Sequence, residues 1–457
     1  MKTNQNKATP RVYHTSRQIV QRIPRWLIEK TANAHGVDAR KFSATSHFVM
    51  LILGHLSRAS CLTEICDDAD LNRRKLSLVR NATPGKRNTF SHANRTRPAE
   101  VAEEVYWETV RHLGMVSPDF IPPKRVRGFL SRFKDRGIFA IDSTVIKLAL
   151  SCIASYPYRS KKAAAKMHTR LPVGSFIPSV VRIEAGKPHD STMADELTKD
   201  MKGGDILLAD RAYVDFAFLH NLTAREVFWV LRQKVNMLYE VVESREVSGN
   251  VLSDDIVKLT AANTSEKYPQ TFRRVRAVVE INGEKREMVF LTNNTQWAAS
   301  TICELYKARW EIEVFFKELK QTLQLTDFIG TNENAVKWQI WSGLLAHLLL
   351  HYLKFLSGWN KAFSRLVGIV RSAVWMDLDI VETLRLYGMA SPPHRPQPHY
   401  IQQRLVGFCA SKSESYGIAS PLMAAFHRNF GTRQLEKSKR KPMKSGLPQA
   451  NYAPMGW

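Results

Sequence analysis

The hydrophobic period of this chain changes at Gly137, and few folds accommodate what lies on either side of that residue. Upstream, apolar residues recur at helical spacing over Ile19 to Thr31, over Phe48 to Leu56, and over Pro98 to Leu113, where the proline opens the run. Downstream they fall in short β-rich runs. Ile138 to Leu148, Ala163 to Leu171 and Phe176 to Glu184 read as three strands, followed by a helix over Ser191 to Lys199. Ile206 to Ala209 makes a short fourth strand, a helix follows from about Tyr213, and Val227 to Arg232 makes a fifth strand. That order is a mixed α/β layer. Residues 233–292 then alternate apolar and polar, with Phe272 to Ile281 and Arg286 to Leu291 flanking an Asn282-Gly283 pair suited to a type I′ hairpin. Helical signal returns near Thr301 and over Ala335 to Leu356, so a β-rich insertion interrupts the layer.

Two strands of that layer carry a charge where burial is expected. Asp142 follows Gly137-Ile-Phe-Ala-Ile, and Asp210 follows Asp205-Ile-Leu-Leu-Ala. A carboxylate there is costly unless a cation meets it. Either acid alone reads more simply as a turn former or a partner for a basic residue.

A third acid sits among basic and aromatic neighbours. Tyr306, Arg309, Glu313 and Lys320 are spaced by three, four and seven, which on one α-helix places them within a sector of about 60°. Beside them runs an apolar stripe, Leu305, Ile312, Phe316, Leu319 and Leu323, that would press the helix onto a sheet. Glu313 alone reads as half of an exposed salt bridge. Together with Asp142 and Asp210 it completes an all-oxygen set of the kind Mg²⁺ or Mn²⁺ prefers, and phosphate-cleaving enzymes use two such ions about 4 Å apart.

The formal charge of +25 on 457 residues favours a polyanionic partner, because each Lys or Arg set against a phosphate releases counterions. Arg73, Arg74, Lys75, Arg80, Lys86, Arg87, Arg95 and Arg97 cluster in a turn-rich segment that reads as a helix-turn-helix-like unit touching phosphates, or as a solvated charged face. The tail past about 430, with Lys437, Lys439, Arg440, Lys441 and Lys444, would add nonspecific contact. Five scattered cysteines, Cys61, Cys66, Cys152, Cys303 and Cys409, suggest neither a disulfide framework nor a zinc ribbon, and His55 beside Cys61 and Cys66 reads as a satisfied core histidine. No signal-peptide h-region follows the first lysines, and His347, His351 and Lys354 break the longest apolar run, so a cytoplasmic protein is expected.

Asp142, Asp210 and Glu313 in that order, with Tyr306-x2-Arg309-x3-Glu313-x6-Lys320, resemble the DDE transposases of bacterial insertion sequences, in the IS-four family subgroup with the Y-R-E-K signature. Asp210-Arg-Ala-Tyr213, Leu291-Thr-Asn-Asn294, Leu305-Tyr-Lys-Ala-Arg-Trp-Glu-Ile-Glu-Val-Phe-Phe-Lys317 and the N-terminal Arg40-Lys-Phe-Ser43 fit that family, and the resemblance covers about residues 15 to 385. It implies a ribonuclease H-like mixed-sheet core, residues 131–232 and 293–360, interrupted by the β insertion at 233–292. A helical DNA-binding region at 1–130 and a C-terminal helical region with the basic tail at 361–457 would flank it.

It also implies that Asp142, Asp210 and Glu313 bind two Mg²⁺ (or Mn²⁺) ions, and that Tyr306, Arg309 and Lys320, with Arg232 and Lys234 on the strand entering the insertion, face DNA phosphates. Cleavage at the element's terminal repeats, strand transfer into target DNA and a homodimer on double-stranded DNA would follow. A stand-alone metal nuclease and a catalytically silent DNA-binding derivative are the alternative readings. Some relatives stack a flipped base on an insertion tryptophan; Trp229 and Trp297 do not fall at that spacing, and His189-Asp190 reads equally as a helix cap.

Overall fold

The computed structural model describes residues 13–39, 41–121, 132–133, 135–148, 157–159, 162–185, 190–281, 283–323, 325 and 332–388. Arg40, Cys152, His189, Asn282, Cys409 and the basic tail lie outside the described residues.

Among the described residues seven α-helices precede the sheet: α1 (Thr15–Val20), α2 (Leu27–Ala34), α3 (Ala44–Ser57), α4 (Leu62–Leu71), α5 (Arg73–Ser77), α6 (Arg87–Thr96) and α7 (Glu100–Val116). The expected helix over Ile19 to Thr31 is two helices, because Pro24 lacks an N–H and disfavours helical backbone at Ile23. Ser43 starts α3 by accepting the Ser46 amide, and α3 is buried on nearly every side. The basic segment divides by burial. Arg74, Lys86, Arg87 and Arg95 are exposed, whereas Arg80 donates to the carbonyls of Val20, Ile23 and Pro24, and Arg97 to those of Phe42 and Ser43. Those two arginines hold chain turns together and are not open to a phosphate.

The sheet begins with β1 (Ile138–Leu148), β2 (Pro157–Arg159), β3 (Lys162–Pro172) and β4 (Val180–Ala185). Then come α8 (Ala194–Thr198), β5 (Ile206–Ala209), α9 (Phe216–Ala224) and β6 (Phe228–Arg232). The third strand starts four residues later than the sequence suggests. Phe176 sits in a turn at φ +53°, left-handed backbone that ends any strand reading there. A 3-10 turn, Asp190–Met193, likewise replaces the front of the expected helix at Ser191.

The insertion supplies β7 (Tyr239–Ser244), β8 (Val251–Leu259), the short α10 (Ala262–Ser265), β9 (Phe272–Ile281) and β10 (Glu284–Thr292). Gly283 turns the last hairpin at φ +81°, where a side chain would strain the backbone. Among the described residues the ten strands form one sheet, in the order β2-β3-β1-β5-β6-β10-β9-β8-β7, with β4 also on β3. β3 runs antiparallel to both β1 and β4, while β1–β5 and β5–β6 are parallel, so the sheet is mixed. β10 pairs antiparallel with β6, so the insertion strands continue the same sheet.

One buried pair ties the insertion together. Arg273 on β9 grips Asp254 on β8 with two bonds, Nε to Oδ1 at 2.7 Å and Nη2 to Oδ2 at 2.6 Å, and also donates to the Trp297 carbonyl. Both side chains are almost fully buried. Asp254→Ala leaves an unpaired buried guanidinium, so chemical denaturation is expected to show a loss of about 3–5 kcal/mol. A loss under about 1 kcal/mol would mean that solvent reaches the pair.

The last helices are α11 (Ala299–Ala308), α12 (Trp310–Lys317), a π turn over Glu318–Thr322, α13 (Glu333–Ser357), α14 (Phe363–Ala373) and α15 (Ile380–Gly388). α8 and α9 cover one face of the sheet through Leu197, Phe218, Leu219 and Leu222. α11 to α13 cover the other with Leu305, Ile312, Phe315 and Leu345. The apolar stripe at Leu305, Ile312, Phe316, Leu319 and Leu323 is buried throughout, as its spacing requires. The single helix that spacing implied is not continuous, because it breaks at Arg309 and widens into the π turn at Glu318.

Candidate active site

Strand parity decides where the two strand acids point. In β1, Ile138 and Ala140 join the core under α11–α13, whereas Ile141 joins the opposite core. In β5, Leu208 faces the α11–α13 side and Ala209 the other. Side chains alternate along a strand, so Asp142 and Asp210 both turn toward α11–α13. The parallel register pairs Ile141 with Ala209, which sets the two acids level on neighbouring strands. Asp142 lies within β1, opposite Thr169 of β3, and Asp210 is the first residue past β5.

Arg309 stands in the break between α11 and α12 and links the acids. Its Nη2 lies 2.5 Å from Glu313 Oε1 and its Nη1 3.6 Å from Asp142 Oδ2, with the guanidinium 5.4 Å from the Tyr306 ring centre. The expected phosphate clamp is here the counter-ion between two carboxylates. Burial pushes the Asp142 carboxyl up to about 6, and Asp210 and Glu313 push the same way, while the Ser143 amide and Arg309 oppose. At Asp142 burial and the neighbouring acids therefore outweigh Arg309. The donors of the three acids are all oxygen, which fits Mg²⁺ or Mn²⁺, and Asp142, Asp210 and Glu313 are the residues that would hold it.

The remaining site residues divide. Tyr306 is buried, its ring 4.9 Å from Phe290, and burial raises its hydroxyl pKa while Arg309 lowers it. Lys320, on the π turn, donates to the Val145 carbonyl at 2.7 Å, so it reaches the same strand as Asp142; burial, then Lys147, lower its pKa. Lys234 donates to the Val214 carbonyl at 2.7 Å. Arg232, the last residue of β6, lies opposite Phe290 of β10 and is half-buried. The structure thus gathers Asp142, Asp210, Tyr306, Arg309, Glu313 and Lys320, and ties Lys234 to the loop that follows Asp210.

Other motif residues serve the frame. Asn293 accepts the Trp229 amide and donates to Val227, closing the start of β6, and Asn294 caps the turn into α11 through the Gln296 and Trp297 amides. Trp229 is fully buried, and the half-buried Trp297 packs against Phe133 and Phe228. His55 lies between the Ser342 hydroxyl and the Leu323 carbonyl, a core histidine with partners of its own.

The sequence comparisons fall on this frame. A family model described as the transposase DDE domain matches residues 133–349, which holds all three acids. Residues 133–349 are thus similar to the DDE domain of transposases. A second model, a domain of unknown function, matches residues 14–79. A protein described as a transposase for insertion sequence element IS5377 of Geobacillus stearothermophilus is 28% identical over 47% of this chain and 55% of its own length. The transposase y4zB of Sinorhizobium fredii is 26% identical over 70% of this chain and 86% of its own length. A transposase for insertion sequence element IS4SA of Synechocystis is 25% identical over 58% and 71%. The chain thus spans little more than half of the first relative and most of the other two. A piggyBac transposase synaptic complex with hairpin DNA overlays at a TM-score of 0.37 with 9% identity, over 88% of this chain and 84% of that one, and the overlay carries no argument here. Among the described residues, no single helix is long and apolar enough to cross a membrane.

Proposed function

We propose that this chain is an insertion-sequence transposase of the Y-R-E-K kind, cutting phosphodiesters at the element's terminal repeats and transferring the freed 3′-hydroxyl to target DNA. The observation that carries the reading is the level register of Asp142 and Asp210, with Glu313 bridged to Asp142 by Arg309. Asp142, Asp210 and Glu313 would hold two ions, which would supply charge neutralisation at phosphorus and an activated attacking oxygen. Asp142, Asp210 and Glu313 hold their oxygens on one face of the sheet for that purpose. Arg309, beside Glu313 and Asp142, has a planar fork suited to a DNA phosphate, and Lys320 offers a point charge. Tyr306 can donate its hydroxyl proton to a phosphate oxygen. Arg232 and Lys234 extend the positive surface toward the insertion.

Cutting and joining are both in-line displacements at phosphorus that differ in the nucleophile, so one site serves both. Two ends must be cut together, which makes a homodimer on double-stranded DNA in the bacterial cytoplasm the working form. The test is to incubate the full chain with Mg²⁺ or Mn²⁺ and the DNA flanking its coding region. Nicks at the repeat boundary, followed by joining of a pre-cut 3′-hydroxyl end, are expected. Cutting without joining would leave a metal nuclease, and DNA binding with neither would leave a silent derivative.

A further inference from the structure

A second group of ligands lies apart from the three acids, where the π turn meets α13. His347 and His351, one helical turn apart, both direct Nε2 at Glu318 Oε2, at 2.9 and 3.0 Å. The donor atoms of the three residues all lie within 4.8 Å of one another, the one such trio of ligand side chains among the described residues. Their side chains are 2%, 7% and 13% exposed for His347, His351 and Glu318. Phe315 and Phe363 pack on His347, and Phe363 and Phe176 stack on His351, so aromatic walls surround the donors.

We propose that Glu318, His347 and His351 bind one Zn²⁺ ion, at a site separate from the carboxylates Asp142, Asp210 and Glu313. A tetrahedral zinc with nitrogen and oxygen donors at about 2.0–2.1 Å sets them about 3.3 Å apart, close to the spacing already present. Two imidazoles and one carboxylate suit zinc, whereas Mg²⁺ takes oxygen and does not compete for imidazole. The histidines have the i, i+4 spacing of helical zinc ligands, but Leu348, Leu349 and Leu350 lie between them, so no carboxylate follows His347 as a general base. The ion's role is structural. It pins the π turn to α13 and thereby fixes the element that aims Lys320, two residues beyond Glu318, at β1.

The test uses the full chain, stripped with a chelator, reloaded with Zn²⁺ and dialysed against excess Mg²⁺. One Zn²⁺ per chain should remain, also in the Asp142→Asn/Asp210→Asn double variant, and His351→Gln and Glu318→Gln should lose it. Co²⁺ in its place should give the intense visible bands of a four-coordinate ion. Zinc that washes out against Mg²⁺, a pale six-coordinate Co²⁺ spectrum, or loss of zinc in the double variant would each overturn the proposal and leave a hydrogen-bonded trio. Should the Gln variants not fold, the Co²⁺ spectrum of the unaltered chain and zinc retention in the double variant decide. Neither readout depends on DNA cleavage, so failure here leaves the transposase reading standing.

Discussion

Asp142→Asn is expected to cut Mg²⁺-dependent strand cleavage by at least about 10³-fold, since charge stabilisation worth several kcal/mol depends on that ligand and each 1.4 kcal/mol is a factor of ten. Asn keeps the size and the hydrogen bond to the Ser143 amide but removes the charge, so the fold should persist. DNA affinity should stay within a few-fold, because it rests on cations spread over the chain. Removing one of three acids in a half-buried cluster also relieves repulsion, and the variant should melt no lower than the parent in the absence of Mg²⁺. Gel-shift, cleavage and thermal melting on one preparation give all three quantities. Cleavage within tenfold of the parent would remove Asp142 from the site. Loss of DNA binding in parallel would instead mark it as a residue of the frame.

The strands that carry two of the acids are legible in the sequence, and for a physical reason. β1 and β5 begin and end where the sequence places them, because each is a run of apolar residues bounded by charge, and Asp142 and Asp210 were conspicuous as charges in such runs. What escaped depends on distant contacts. Arg309 as a counter-ion could not be read from its spacing, since Asp142 is far away in sequence and only parity and packing bring the two together. The break at Arg309 and the π turn carry no proline or glycine to announce them. His347 and His351 stood in plain view at i, i+4, but as interruptions of an apolar helix. Their partner Glu318 lies 29 residues before His347 in the chain. The basic N-terminal segment misled for the converse reason: composition does not tell an exposed Arg87 from Arg80, which spends its guanidinium on backbone carbonyls.

Mild acid should unfold this chain before its carboxylates are exhausted. His47 and His55 are buried as neutral rings, and desolvation lowers their pKa values from 6.5 to about 3 and about 4. His47 donates its Nε2–H to Asn94 Oδ1 at 2.7 Å, while its Nδ1 has no partner and the ring is boxed in by Trp338, Phe90 and Phe42. A second proton there would be buried without an acceptor. Both folded pKa values lie below the unfolded one, so the unfolded chain binds protons first as the pH drops. The stability is complete above pH 6.5 and is lost progressively as the pH falls from there, down to about 4 for His55 and about 3 for His47. The loss amounts to about 5 kcal/mol for His47 and about 3 kcal/mol for His55, a large share of the 5–15 kcal/mol typical of a folded domain. Asp142 acts in the opposite sense, because its raised pKa of about 6 means that acid relieves a penalty. The decisive quantity is therefore a difference: denaturation midpoints at pH 7, 5.5 and 4.5 for the parent and for His47→Gln. The parent should lose more stability over that range than the variant, by about 3 kcal/mol. Parallel pH profiles would show that water reaches His47 and that its neutrality costs nothing.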